Sequence, residues 1–143
     1  MAGYSGTLLV KKLGIKPGFR LYAKNPPENY SELIAPLPDG VQTLHRLTDQ
    51  LDMIHLFTTS RAELAANIEA FMDRIRPDGM IWVSWPKKAS KVPTDVTEDV
   101  VREVILPLGL VDVKVCAVDA TWSGLKLVIR KENRSKRSAG EEV

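Results

Sequence analysis

The chain has 143 residues, 44% hydrophobic and 27% charged, a balance that suits one globular domain with a single sizeable core. Twenty basic residues against eighteen acidic ones leave a formal charge of +2, so no global field argues for nucleic acid or a membrane surface. The one cysteine, Cys116, excludes an intrachain disulfide and a cysteine-based metal cluster, and no apolar run nears the roughly 18 residues of a membrane helix.

The start, Met1-Ala2-Gly3-Tyr4-Ser5-Gly6, lacks the basic-then-apolar profile of a secretory leader, so a cytoplasmic protein is expected. Leu8 to Leu13 then suggests one helical turn closed by Gly14. Lys16-Pro17-Gly18 is a turn, and Phe19 to Lys24 a short strand with Leu21 and Ala23 on one face and Tyr22 on the other. Asn25-Pro26-Pro27 cannot continue a ladder, and Glu28 to Leu37 reads as a short helix or turn. Val41 to Leu47 alternates with period two, which predicts a strand. Leu51 to Thr58 is almost continuously apolar, the pattern of a strand buried on both faces.

Ser60 and Glu63 have capping-box spacing, and Leu64, Ile68, Phe71, Met72 and Ile75 form one stripe of a long helix. Pro77-Asp78-Gly79 should turn the chain into the apolar strand Met80 to Trp85. A basic loop follows, from Pro86 to Thr94, and then a helix capped near Asp95 or Thr97 with Val100, Val101, Val104, Ile105 and Leu108 inward. Val111 to Val118 alternates as a strand, Asp119 to Gly124 reads as a loop, and Leu125 to Arg130 as a last strand forming an antiparallel edge. Strand–helix–strand alternation predicts a three-layer α/β, Rossmann-like domain over residues 1–131, mostly parallel with an antiparallel C-terminal strand. Residues 132–143 are polar and are expected to be a disordered tail.

The segment Leu51-Asp52-Met53-Ile54-His55-Leu56-Phe57, the long helix, and Ile75-Arg76-Pro77-Asp78-Gly79-Met80-Ile81-Trp82-Val83-Ser84 resemble the second half of class I S-adenosylmethionine-dependent methyltransferases. The similarity spans residues 15–131 and is strongest over 51–130. It implies a methyltransferase-like fold, with S-adenosylmethionine held by a Gly-rich turn after the first strand and an acidic residue ending the second. Here Asn25-Pro26-Pro27-Glu28-Asn29-Tyr30 stands in place of the Gly-rich turn, and Asp49 is the candidate for the ribose contact. The segments Gly3-Tyr4-Ser5-Gly6-Thr7 and Trp85-Pro86-Lys87-Lys88-Ala89-Ser90-Lys91 also resemble a small bacterial family of unassigned function.

The strongest candidate site is the loop at the carboxyl end of the strand ending in Trp85. Lys87, Lys88 and Lys91, with Ser90, Thr94 and Asp95, precede a helix start, where ammonium charges, hydroxyls and backbone N–H groups are expected to hold an anionic small molecule or partner group. The alternative is a solvated lysine loop, as most such runs are. Thr58 and Thr59 could line the same pocket, with Trp85, Trp122 and Ser123 as its walls. Asn25-Pro26-Pro27 with Tyr30 resembles the Asn-Pro-Pro-Tyr motif of amino-methylating enzymes, although a Pro-Pro strand terminator explains it more simply. His45 and His55 sit inside strand patterns and read as satisfied core or face residues, and no metal-ligand spacing joins them to carboxylates. No nucleophile–base pair is visible. The leading expectation is therefore a non-catalytic binding or regulatory protein, and the second an atypical methyltransferase using S-adenosylmethionine. A third is a protein-interaction module with a vestigial fold. The basic residues of the tail are too few and too balanced to argue for nucleic acid.

Overall fold

The computed structural model describes residues 8–134. The segment Gly3 to Thr7 and the tail beyond Arg134 lie outside the described residues. Within them the chain runs α1 (Leu9–Leu13), β1 (Arg20–Lys24), α2 (Tyr30–Leu33), β2 (Gln42–Leu44), β3 (Leu51–Phe57), α3 (Arg61–Arg74) and β4 (Ile75–Pro86). It continues through α4 (Glu98–Ile105), β5 (Leu110–Ala117) and β6 (Trp122–Ile129). One sheet has the order β2-β1-β3-β4-β6-β5. Strands β2, β1, β3 and β4 are mutually parallel, and β6 is antiparallel to both β4 and β5.

The mostly parallel α/β sheet of the sequence reading is therefore present, but its antiparallel strand is not an edge. The last strand inserts between β4 and β5, which leaves β5 outermost. Its Leu125, Leu127 and Ile129 are buried, as an interior strand requires. The strand also starts earlier than expected, so Trp122 to Gly124 pair with Ser84 to Pro86 instead of looping. On β5 the register shifts between Asp112 and Lys114, and Val113 and Val115 stay exposed on this edge. The strand expected over Val41 to Leu47 shrinks to three residues, because β1 offers β2 only Arg20 to Tyr22 as partners.

Two cores flank the sheet. Leu64, Ile68, Phe71 and Met72 of α3, with Val101 and Ile105 of α4, pack on Ile54, Leu56, Ile81 and Val83. On the other face Leu9, Val10 and Leu13 of α1 and Tyr30 of α2 cover Leu21, Met53, Phe57, Met80 and Trp82. The continuous apolar run of β3 thus divides residue by residue between the faces, as side-chain alternation dictates. Gly14 ends α1 in the left-handed conformation, φ 81°, and the Trp82 indole N–H fixes that end by donating to the Leu13 carbonyl at 3.0 Å.

Helix α3 leads almost directly into β4. The residues Arg76 to Gly79 bulge out opposite Asp52, since Leu51 pairs with Ile75 but Met53 with Met80. A Cβ at Gly79 would stand 3.0 Å from the Arg76 carbonyl oxygen and 3.2 Å from that of Asp52. Both obstacles are backbone, so the bulge must shift to admit a methyl group. Gly79→Ala is expected to lose about 1–3 kcal/mol of stability, read as a lower urea midpoint at unchanged slope.

Candidate functional site

Strand β1 connects leftward to β2, whereas β3 connects rightward through α3 to β4. Between the carboxyl ends of β1 and β3 the winding therefore reverses, and the two departing loops leave a crevice where open α/β sheets bind ligands. Asn25, Pro26 and Pro27 follow β1 there, and Thr58, Thr59 and Ser60 follow β3.

Asn25 makes the turn after β1 in the left-handed region, φ 57°, which asparagine tolerates better than other residues with a Cβ. Its side chain then crosses the crevice: Nδ2 donates to the Phe57 carbonyl at 3.3 Å and to Glu63 Oε2 at 3.2 Å. Glu63 is held from the other side by the Thr58 hydroxyl, at 2.6 Å. Only half of the expected capping box forms. Ser60 Oγ accepts from the Glu63 N–H at 3.1 Å, but the Ser60 N–H goes to Thr58 Oγ1, also at 3.1 Å, because the Glu63 carboxylate is committed to the crevice. Glu63 is thus a site residue that its spacing disguised as a cap.

The loop after β4 is brought to the same pole. Thr94 Oγ1 donates to the Thr59 carbonyl at 2.8 Å, and Asp95 Oδ1 accepts from the Arg61 N–H at 2.7 Å. Asp95 therefore completes the amino end of α3, and Thr97 caps α4 through the Val100 N–H at 3.2 Å. Ser90 donates to the Lys87 carbonyl at 2.6 Å. The hydroxyl protons of Ser90 and Thr94 are spent on folding the loop. Only ammonium groups remain to meet a ligand: Lys88 and Lys91 are exposed, Lys87 is half-buried, and none of the three forms an ion pair among the described residues. Trp85 and Trp122 do not wall one crevice. Trp85 is buried in the α3–α4 core, while Trp122 packs on the opposite face with its ring edge-on to Phe57 at 5.1 Å. Asp49 lies at the other end of β3, paired with Arg74 at 3.1 Å, and β2 ends in Leu44-His45-Arg46 with no acidic residue of its own, while Glu28 lines the groove beside Leu44 and His45.

Beside the crevice, between α2 and the β1–β2 edge, lies a mostly apolar groove of about 470 Å³, lined by Leu21, Pro26, Tyr30, Ile34, Leu44 and His45 among others. That volume is within the range of small-molecule sites. Under its floor is a polar chain that the sequence did not reveal. The Tyr30 hydroxyl lies 2.9 Å from His55 Nδ1, and His55 Nε2 lies 2.7 Å from Ser84 Oγ, all three residues being buried. The ring also stacks on Phe57, with centroids 4.2 Å apart. A neutral imidazole satisfies both hydroxyls, since one nitrogen donates and the other accepts. Burial pushes the His55 pKa down to about 3 and that of the Tyr30 phenol up. His55 is thus a satisfied core histidine, and Tyr30 turns inward to it instead of standing beside Asn25 to receive an amine.

A six-stranded sheet in this order, with the last strand antiparallel and inserted, is the methyltransferase-like Rossmann fold. Solved structures agree. A SAM-dependent methyltransferase from Aquifex aeolicus is 17% identical with a TM-score of 0.62, over 85% of this chain and 87% of that one. Magnesium protoporphyrin IX methyltransferase from Synechocystis, with bound SAM, is 13% identical with a TM-score of 0.56, over 86% and 76%. Fibrillarin from Aeropyrum pernix, with natively bound S-adenosyl-L-methionine, is 13% identical with a TM-score of 0.56, over 85% and 72%. No family model matches the chain, and no curated protein matches its sequence.

The buried imidazole predicts an acid limb. The folded chain binds its proton only near pH 3, whereas the unfolded one does so below about 6.5. Unfolding therefore takes up a proton within that window, and His55 should subtract about 1.4 kcal/mol of stability per pH unit as pH falls. Urea unfolding of His55→Leu should show a shallower fall from about pH 6 to about pH 4.5 than the wild type, from a baseline lowered by about 1–3 kcal/mol because Tyr30 and Ser84 lose their partner.

Proposed function

We propose that the chain is a non-catalytic binding or regulatory module on a methyltransferase fold, holding an anionic small molecule or partner group at the loop of residues 85–95. The observation that carries this reading is Asn25. Its amide spans the reversal point onto Phe57 and Glu63, where a glycine turn would leave space, and β2 ends in Leu44-His45-Arg46 without an acidic residue of its own. That bridge crosses the approach a glycine turn would leave open for S-adenosylmethionine. Lys87, Lys88 and Lys91 stand at the same pole without carboxylate partners, which supports an anionic ligand there.

Phosphate and nucleotide titrations followed by tryptophan fluorescence test it. A saturable response is expected, weakened at least about tenfold when Lys87, Lys88 and Lys91 are all changed to Gln. A flat response, or one indifferent to that change, rejects the reading.

The second reading is an atypical S-adenosylmethionine-dependent enzyme, with the cofactor over Asn25 to Tyr30. It is favoured by the resemblance to structures with bound SAM and by the groove flanking Pro26 and Pro27. Calorimetry with S-adenosylmethionine separates the two. The binding-module reading expects no measurable heat from the wild type, meaning a Kd weaker than about 1 mM, and a gain of binding in Asn25→Gly. Wild-type binding establishes the enzyme reading instead.

A further inference from the structure

At the other end of the sheet, a cavity of about 350 Å³ lies where the turn after α1 meets β4 and β6, lined by Gly14, Lys16, Asp52, Asp78, Met80 and Lys126 among others. Lys114 and Lys126 are direct cross-strand partners on β5 and β6, so two like charges share one face of an antiparallel pair. Such an arrangement is destabilising by itself. Lys114 reaches over to α1, where Nζ donates to the Lys12 carbonyl at 2.9 Å. Lys126 Nζ comes within 3.9 Å of the position a Cβ would take on Gly14. Burial, then the charges of Lys114 and Lys16, draw the Lys126 pKa down.

No carboxylate relieves this. Every ion pair among the described residues is made by an arginine. Asp52 is engaged by the Arg20 N–H at 2.9 Å and by Arg76 at 3.4 Å. Asp78 is exposed on the cavity wall and forms no ion pair with Lys16 or Lys126. The cavity therefore carries ammonium groups, Lys16 and Lys126, and carboxylates, Asp52 and Asp78, that form no ion pair with one another.

We infer that this cavity binds a small phosphomonoester, its phosphate between Lys16 and Lys126 with Lys114 beside them, and its uncharged polar remainder toward Asp52 and Asp78. Lysines act as point charges on phosphate, and a phosphate dianion is the counter-charge that three clustered ammonium groups lack. Asp52 and Asp78 repel a second phosphate, so the site favours a monoester over a polyphosphate. This site is separate from the loop of residues 85–95 and does not depend on it.

The test is an amide NMR titration of the full chain with glycerol phosphate, with tripolyphosphate as the contrast. Saturable shifts are expected around Gly14, Met80 and Lys126, weakened at least about tenfold in Lys126→Gln and in the exposed-site variant Lys16→Gln. The variant with Lys87, Lys88 and Lys91 changed to Gln should bind glycerol phosphate as the wild type does, which distinguishes failure here from failure at the loop. Without ligand, Lys126→Gln should melt at or above the wild-type temperature, because repulsion is relieved. The inference is overturned if shifts do not saturate by about 10 mM, if they centre on the loop of residues 85–95, or if tripolyphosphate binds more tightly than glycerol phosphate.

Discussion

One side-chain amide determines what the most ligand-ready part of this fold can accept. The reversal of winding between β1 and β3 opens a crevice by topology alone, whatever residues line it. Asn25 then closes the gap between the two strand ends with hydrogen bonds to a backbone carbonyl and to Glu63. The left-handed backbone that a glycine would supply is retained, but the side chain that comes with it occupies the space a glycine would leave. Backbone conformation and side-chain bulk are thus separate properties of this turn.

The same constraint spreads outward from Glu63. Its carboxylate lies between Asn25 and Thr58, so it is not available to the Ser60 N–H, and Thr58 takes that donor. The amino end of α3 is completed from a distant segment by Asp95, which ties the loop after β4 to the loop after β3. Donors that would attract an external anion at α3 are thereby satisfied internally. What the loop after β4 presents to solvent is the charge of Lys88 and Lys91, with Lys87 half-buried behind them.

Local patterns were legible and long-range ones were not. The doubly buried β3, the Gly14 cap and Leu64, Ile68, Phe71 and Met72 of α3 stand where spacing puts them, whereas Ile75, expected to close that helical stripe, is already extended as the first residue of β4. Spacing could not distinguish His45 from His55, since both alternate within apolar stretches. Only the packing of Tyr30 and Ser84, 25 and 29 residues away, makes one of them a core residue. Asn25 was visible as a strand terminator, but its partners lie 32 and 38 residues on. The insertion of β6 was hidden for a related reason. A hairpin looks alike in sequence whether its second strand lies outermost or slips inward beside β4, and burial on both faces is what decides it. Trp122 was misplaced as a loop residue because Ser123 and Gly124 look like a turn, whereas Gly124 sits within the β6 ladder, where a Cβ would meet Ser84 Oγ and the Trp82 ring at 3.2 Å.

The two ends of the sheet now contrast in a way that bears on what the fold retains. At the carboxyl pole Asn25, Thr58 and Glu63 answer one another, and the buried imidazole of His55 is hydrogen-bonded at both ring nitrogens. At the other end Lys114 and Lys126 face each other across β5 and β6, and neither forms an ion pair among the described residues, a like-charge pairing that costs stability. The lysine pair on β5 and β6 thus carries like-charge repulsion at the end of the sheet opposite the crevice between β1 and β3.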